Sequence, residues 1–252
     1  MGERVLLKRN GPVVELVLNR PDKRNALDLA TLEQLLAALT EACRDSDAHV
    51  IVLHGAGEGF CAGADLDMLG KVGQQEDPVA AFMPAADVFQ QVIHLIAAAP
   101  KITLAAVHGF ALGAGLDLIL ACDLRLVTQG TKLACSYVRY GLVPDGGATW
   151  ALPRLIGLGP ALNMLLSGDA IEAEGAYRLG LVHRRVPEGQ HVQEALVWAA
   201  ELAKRSLPAQ VAIKRLARVD PRLSLSAALK EEKESQRRLL LDGEPFKFVG
   251  KK

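Results

Sequence analysis

Half of the 252 residues are apolar and 23% are charged, enough apolar mass for one large core or two small ones. Lys plus Arg and Asp plus Glu both number 29, so the formal charge is zero. This excludes the whole-chain field that draws in nucleic acid and leaves only local basic patches, at Lys204-Arg205 and over 214–218.

In chain order, Arg4 to Lys8 and Val13 to Leu18 read as short strands, joined by Asn10-Gly11, a hairpin signal. Asn19-Arg20-Pro21-Asp22 stops the second strand. Asp28 is placed to cap a helix in which Leu29, Leu32, Leu35, Leu36 and Leu39 recur at helical spacing. Val50 to Leu53 is a buried strand that runs into HGAGEGFCAGADLDML, a glycine-rich turn with a helix behind it. GAGEG (55–59) lacks the spacing of a dinucleotide fingerprint. Residues 70–80 read as a polar loop and Phe82 to Ala98 as a helix.

The chain is organised around KITLAAVHGFALGAGLDLILACD (101–123). The run Ile102 to Val107 is a buried strand, Gly109, Gly113 and Gly115 make the turn, and LDLILAC is a buried helix. Such a turn offers unsatisfied N–H groups at a helix start, where the macrodipole adds partial positive charge. An anion, or an oxygen that becomes one during reaction, fits there. The alternative is that the glycines only let helix pack closely on strand.

Leu124 to Thr128 is a further strand, residues 129–147 are irregular and end in VPDGG, and 148–155 and 160–166 are short helices. GLVHRRVP (180–187) holds the one late strand in an otherwise helical end. GADLDML (63–69) echoes GAGLDLIL (113–120), each after a strand ending in His-Gly. Repetition of strand, turn and helix implies stacked units with right-handed parallel connections. The expectation is an α/β core over 1–189 followed by a helical region over 190–252. Cys43, Cys61, Cys122 and Cys135 form no CxxC pair, so no zinc site or disulfide framework is signalled, and Cys61 and Cys122 read as small buried residues. MGERVLLKRN has no long apolar core, and 102–122 is broken by His108, Gly115 and Asp117. The expectation is therefore a soluble, reduced, cytoplasmic protein.

Five ordered segments, NRPDKRNAL (19–27), GFCAGADL (59–66), AAVHGFALGAGLDLILACD (105–123), GLVPDGGATWALPRLIG (141–157) and SGDAIEAEGAYRLGLVHRRVP (167–187), resemble the signatures of the crotonase, or enoyl-CoA hydratase/isomerase, superfamily. The resemblance implies a crotonase-like spiral of ββα units with a helical C-terminal oligomerisation region, assembled as a trimer or a dimer of trimers. It implies an acyl-CoA thioester as substrate, coenzyme A entering only as part of it. No metal or redox cofactor is expected, since the sequence shows no ligand cluster. The resemblance also implies two backbone N–H groups around the thioester oxygen, which map to Ala62 and Ala114.

Asp117 follows Ala114 by three residues, on the same face of the helix start. It is either a carboxylate at the substrate or a favourable acid in a first helical turn. The family's hydratases carry Glu there, and a second Glu where this chain has Tyr137. Asp145 resembles the aspartate that the superfamily's double-bond isomerases place eight residues further on, and an isomerase needs a single base. Burial beside Leu142, Val143 and Trp150 would raise its pKa; its other reading is an N-cap for the helix at Ala148. The same position serves as nucleophile in aryl-CoA dehalogenases, with a histidine near the place of His94. Arg24 and Asn25-Ala26-Leu27 resemble the loop that meets CoA phosphates and pantetheine, and Ala64, Asp65 and Leu66 the adenine-side wall. Lys247 or Lys251 would reach the nucleotide from a neighbour. Asp123 and Arg125 read as a structural ion pair. The first expectation is isomerisation; the others are hydration of a 2-enoyl-CoA, dehalogenase-like hydrolysis, and a non-catalytic acyl-CoA- or RNA-binding homologue.

Overall fold

The computed structural model describes residues 2–218 and 224–248. Strands β1 (Val5–Asn10) and β2 (Val13–Leu18) form the antiparallel hairpin, turned at Gly11, whose φ is +58°. Helix α1 (Leu29–Arg44) starts where Asp28 accepts the Thr31 N–H at 2.9 Å. Burial would raise the Asp28 carboxyl, but bonds from Thr31 and Arg4 win and hold it at about 2.

Strands β3 (Val50–Gly55), β4 (Ile102–Val107), β6 (Leu124–Thr128) and β9 (Arg184–Val186) continue the sheet in parallel, giving the order β1-β2-β3-β4-β6-β9. Parallel strands covered on both faces are largely apolar, and β3, β4 and β6 are so apart from the buried His54, Thr103, Arg125 and Thr128. Ile51, Leu53, Ala105 and Val107 join the larger core. Val50, Val52, Leu104 and Ala106 point to a second core closed by Ala195 and Ala199 of α8 (His191–Ala203).

The second strands of successive units stack as another sheet: β5 (Phe110–Leu112), β7 (Lys132–Ala134) and β8 (Ala170–Glu172), preceded by a single parallel bridge from Cys61 to Ala111. The units that begin with β4 and β6 thus each contribute one strand to the large sheet and one to the small stack. Helix α4 (Ala114–Ala121) follows β5, is apolar apart from Asp117, and is buried over Ala114 to Leu120. Helix α3 (Pro78–Ala98) packs against it and α2 (Leu66–Val72) against α3, and α5 (Ala148–Ile156), which also touches α4, α6 (Leu158–Ser167) and α7 (Ala173–Arg178) follow. Helices α9 (Leu207–Ala217) and α10 (Leu225–Leu241) pack on one another.

Four expectations change. The loop expected over 70–80 shrinks to 73–77, because Asp77 caps α3 through the Ala80 N–H and Pro78 takes its first turn. The helix continues through Pro84 and buries Ala85, Ala86, Phe89, Val92 and Ile96. Residues 129–147 are not wholly irregular: they hold β7 and a 3₁₀ turn, Ser136–Tyr140. The late part of the chain has two strands, β8 and β9. Asp123 and Arg125 are not partners. Asp123 pairs with Lys214 and Arg218 at 2.9 Å each, which consumes much of the basic patch over 214–218. Arg125 is buried and donates to the carbonyls of Leu181 and Cys122.

Candidate active site

A cavity of about 540 Å³ opens between the 21–27 loop, the 62–69 turn, α3 and the 136–145 segment. Arg24, Ala26, Ala62, Ala64, Asp65, Leu66, Ala114, Tyr137 and Asp145 all line it. Asp117 does not: its side chain is 0% exposed and lies behind Tyr137.

The amides sort differently from the expectation. The Ala62 N–H donates to the Arg24 carbonyl at 3.0 Å, so it is spent and cannot hold a substrate oxygen. The Ala64 N–H, two residues on, is left without an acceptor among the described residues. Leu27 N–H donates to Gly63 O at 2.8 Å and Asp65 N–H to Leu27 O at 2.9 Å. This parallel bridge turns the Ala64 N–H away from Leu27. Ala114 is the first residue of α4, where an N–H has no intrahelical acceptor. Among the described residues neither amide has a protein partner. The two turns are pressed together: a Cβ on Gly63 would stand 2.7 Å from Leu112 O and 3.5 Å from the Ala114 nitrogen. The internal echo already aligned Gly63-Ala64 with Gly113-Ala114, and that alignment, followed through, marks Ala64 rather than Ala62.

Across the cavity, one hydroxyl joins two carboxyls. Tyr137 Oη lies 2.5 Å from Asp117 Oδ2 and 3.1 Å from Asp145 Oδ1. Two gaps between three oxygens need two protons, and a neutral tyrosine supplies one, so one carboxyl carries the other. Burial pushes Asp117 up to about 7, with the Asp145 charge adding and the Tyr137 hydroxyl and the nearby Ala148 amide opposing. Its Oδ1 has no hydrogen-bond partner among the described residues. Burial also raises Asp145, against the Tyr137 hydrogen bond. That burial does not come from Leu142, Val143 and Trp150, which are 39%, 78% and 56% exposed. Asp145 does not cap α5 either: the cap position is Gly147, without a side-chain bond.

The loop residues divide into structural and free. Arg24 and Asn25 both have positive φ, +52° and +56°. Asn25 is 1% exposed, and its side chain accepts the Arg20 N–H and donates to the Ala56 and Gly59 carbonyls. It therefore holds the loop rather than meeting a ligand. Arg20, not singled out from the sequence, bonds Ala26 O and Asp65 and fixes the loop to the next turn. The Asp65 carboxylate also caps α2, so it is not free for a substrate. Arg24 is half-exposed, stacked over the Phe110 ring and beside Glu58. His94 is exposed on α3 and lines a second cavity, which Asp145 also borders. Lys247 pairs with Glu244, and Lys251 lies outside the described residues. Among the described residues no group of three or more His, Cys, Asp or Glu side chains is placed to hold a metal ion.

Residues 8–241 match the family model described as enoyl-CoA hydratase/isomerase. A 2,3-dehydroadipyl-CoA hydratase of Escherichia coli is 34% identical over 91% of this chain and 88% of its own length. A probable enoyl-CoA hydratase of Rhodobacter capsulatus is 36% identical over 79% of this chain and 75% of its own. The crystal structure of an enoyl-CoA hydratase from a Polaromonas species superposes with a TM-score of 0.92 at 31% identity, covering 98% of this chain and 97% of the other.

Proposed function

Because the chain belongs to the enoyl-CoA hydratase/isomerase family and has the crotonase fold, we propose that it isomerises the double bond of an enoyl-CoA, with Asp145 as the single working base. The observation that carries this reading is that, of the two carboxyls joined through Tyr137, only Asp145 faces the cavity.

The Asp145 carboxylate removes a proton from the carbon beside the thioester carbonyl of a 3-enoyl-CoA. The electron pair spreads over the carbonyl oxygen and the double bond. The N–H groups of Ala64 and Ala114 hold the oxygen as it gains charge, and one such donor is worth roughly 3–4 kcal/mol of barrier. Asp145 then returns the proton to the far end of the dienolate, giving a 2-enoyl-CoA. Protonated Asp117 donates to the Tyr137 oxygen, so that the Tyr137 hydrogen points at Asp145 in its ionised form.

Hydration is the second reading, favoured by relatives that are named as hydratases. It needs a water held between Asp145 and Tyr137, since Asp117 does not reach the cavity. Either reaction uses no metal or redox cofactor. The exposed Leu158, Leu162 and Leu166 along α6 support assembly of several copies. The test is turnover of 3-enoyl-CoA and of crotonyl-CoA by the parent chain and by Asp145→Asn. Isomerase turnover lost in the variant supports the proposal. Full isomerase activity in Asp145→Asn, or crotonyl-CoA hydration without isomerisation in the parent, overturns it.

A further inference from the structure

We propose that the acyl group this site accepts is an uncharged apolar chain lying along one stripe of α3, with Ala85 and Ala86 setting its room, and that acyl groups ending in a carboxylate are rejected. The inference rests on the acyl-CoA reading above and adds the class of acyl group.

Phe82, Ala85, Ala86 and Phe89 all line the cavity. Their spacing, i, i+3, i+4 and i+7, is one face of a helix. Phe89 marks the reacting end. A Cβ on Gly146, the neighbour of Asp145, would stand 2.5 Å from the Phe89 ring and 2.6 Å from the Asp117 Cβ. Phe82 lies seven residues back, about 10 Å along the axis at the helical rise. Between the two rings the wall is only two methyl groups, which leaves a slot bounded by phenylalanine at each end. Met68 and Leu69 of α2 and Leu142 close it from other sides.

The charges lie elsewhere. Among the described residues the two cations on the cavity wall, Lys23 and Arg24, belong to the 21–24 turn, and each already has an acid: Lys23 with Asp67 at 2.9 Å and Arg24 with Glu58 at 3.2 Å. No lysine, arginine or histidine of α3 lines this cavity. A carboxylate carried into the slot would lose its water against apolar walls with no cation there to compensate. The 2,3-dehydroadipyl-CoA relative thus shares the fold with this chain without sharing the acyl group.

The test compares kcat/KM of the full chain on six-carbon enoyl-CoA esters that differ only at the far end, methyl against carboxylate. The expected preference for the methyl end is on the order of 100-fold or more, the cost of an unpaired buried charge. Two variants probe the slot. Ala86→Arg supplies a cation and is expected to narrow that ratio at least about tenfold. Ala85→Leu fills the slot and is expected to lower the ratio of eight-carbon to four-carbon turnover. Equal turnover of both six-carbon esters by the parent chain overturns the inference while leaving the acyl-CoA reading intact. Failure of every ester to bind or react overturns the reading beneath it.

Discussion

Tyr137→Phe removes one oxygen and keeps the ring, so it isolates the link between the two carboxyls. In the parent, that hydroxyl lies 3.1 Å from Asp145 and 2.5 Å from Asp117. Hydrogen bonds to charged groups are worth about 1.5–3 kcal/mol. At 1.36 kcal/mol per pKa unit, losing the bond should raise the Asp145 carboxyl by about 1–2 units. The sign follows from its role: a hydroxyl donating to a carboxylate favours the charged form, and burial already holds this carboxyl above its ordinary range. A base acts only when ionised, so the acid limb of kcat/KM should move to higher pH by about 1–2 units. On the limb the variant should be about 10–100-fold slower, with much of the deficit recovered at alkaline pH. The assay is the pH profile of isomerase turnover from pH 5 to 9, the limb belonging to the coupled pair. A limb that stays in place, or moves to lower pH, would refute the reasoning.

Three further outcomes follow from the same geometry. Ala114→Pro removes the N–H at the first position of α4, where proline is tolerated; kcat should fall about 10²–10³-fold with little change in thermal midpoint. Asp117 has its folded pKa raised to about 7 from 3.8, so its contribution to stability is complete below pH 4 and is lost as pH rises through 7, a change on the order of 4 kcal/mol. Urea unfolding of Asp117→Asn between pH 4 and 8 should show a correspondingly shallower decline. His191 stacks on His108 at 4.0 Å, and burial, with the charges of His108 and His54 adding, depresses it to about 4. Its neutral form is the one that fits, so stability is present above pH 6.5 and is lost as pH falls towards 4. His191→Gln should flatten that acid-side loss, read by thermal denaturation at pH 7 and pH 5.

Much of this was legible in the residues because local and global preferences agree there. The β-branched run Ile102 to Val107 is the strand it reads as, and Asp28 caps α1 as its spacing with Leu32 and Leu35 implies. The family was legible too, since its motifs lie in turns where glycine is needed for a positive φ, as at Gly63 (+98°) and Gly113 (+51°). What escaped depends on contacts between distant segments. Whether an amide is free cannot be read from its own turn: the Ala62 N–H is taken by Arg24, thirty-eight positions away. Asp117 looked accessible because it shares a helix face with Ala114, yet Tyr137 lies between it and the cavity. The start of α3 was missed for a local reason, since Asp77-Pro78 is itself a helix-start signal within a polar stretch.

Asn25 has a consequence for how this enzyme could change. Its amide fastens the backbone at three points while the chain bends left-handed twice in succession. Aspartate would lose the two donated bonds, and glycine would keep the bend but none of the fastenings. That bank of the opening is therefore inelastic, and new substrates must be accommodated on the opposite bank. There, Phe82, Ala85 and Ala86 of α3 line the cavity, and their side chains can vary without touching the bonds that Asn25 makes.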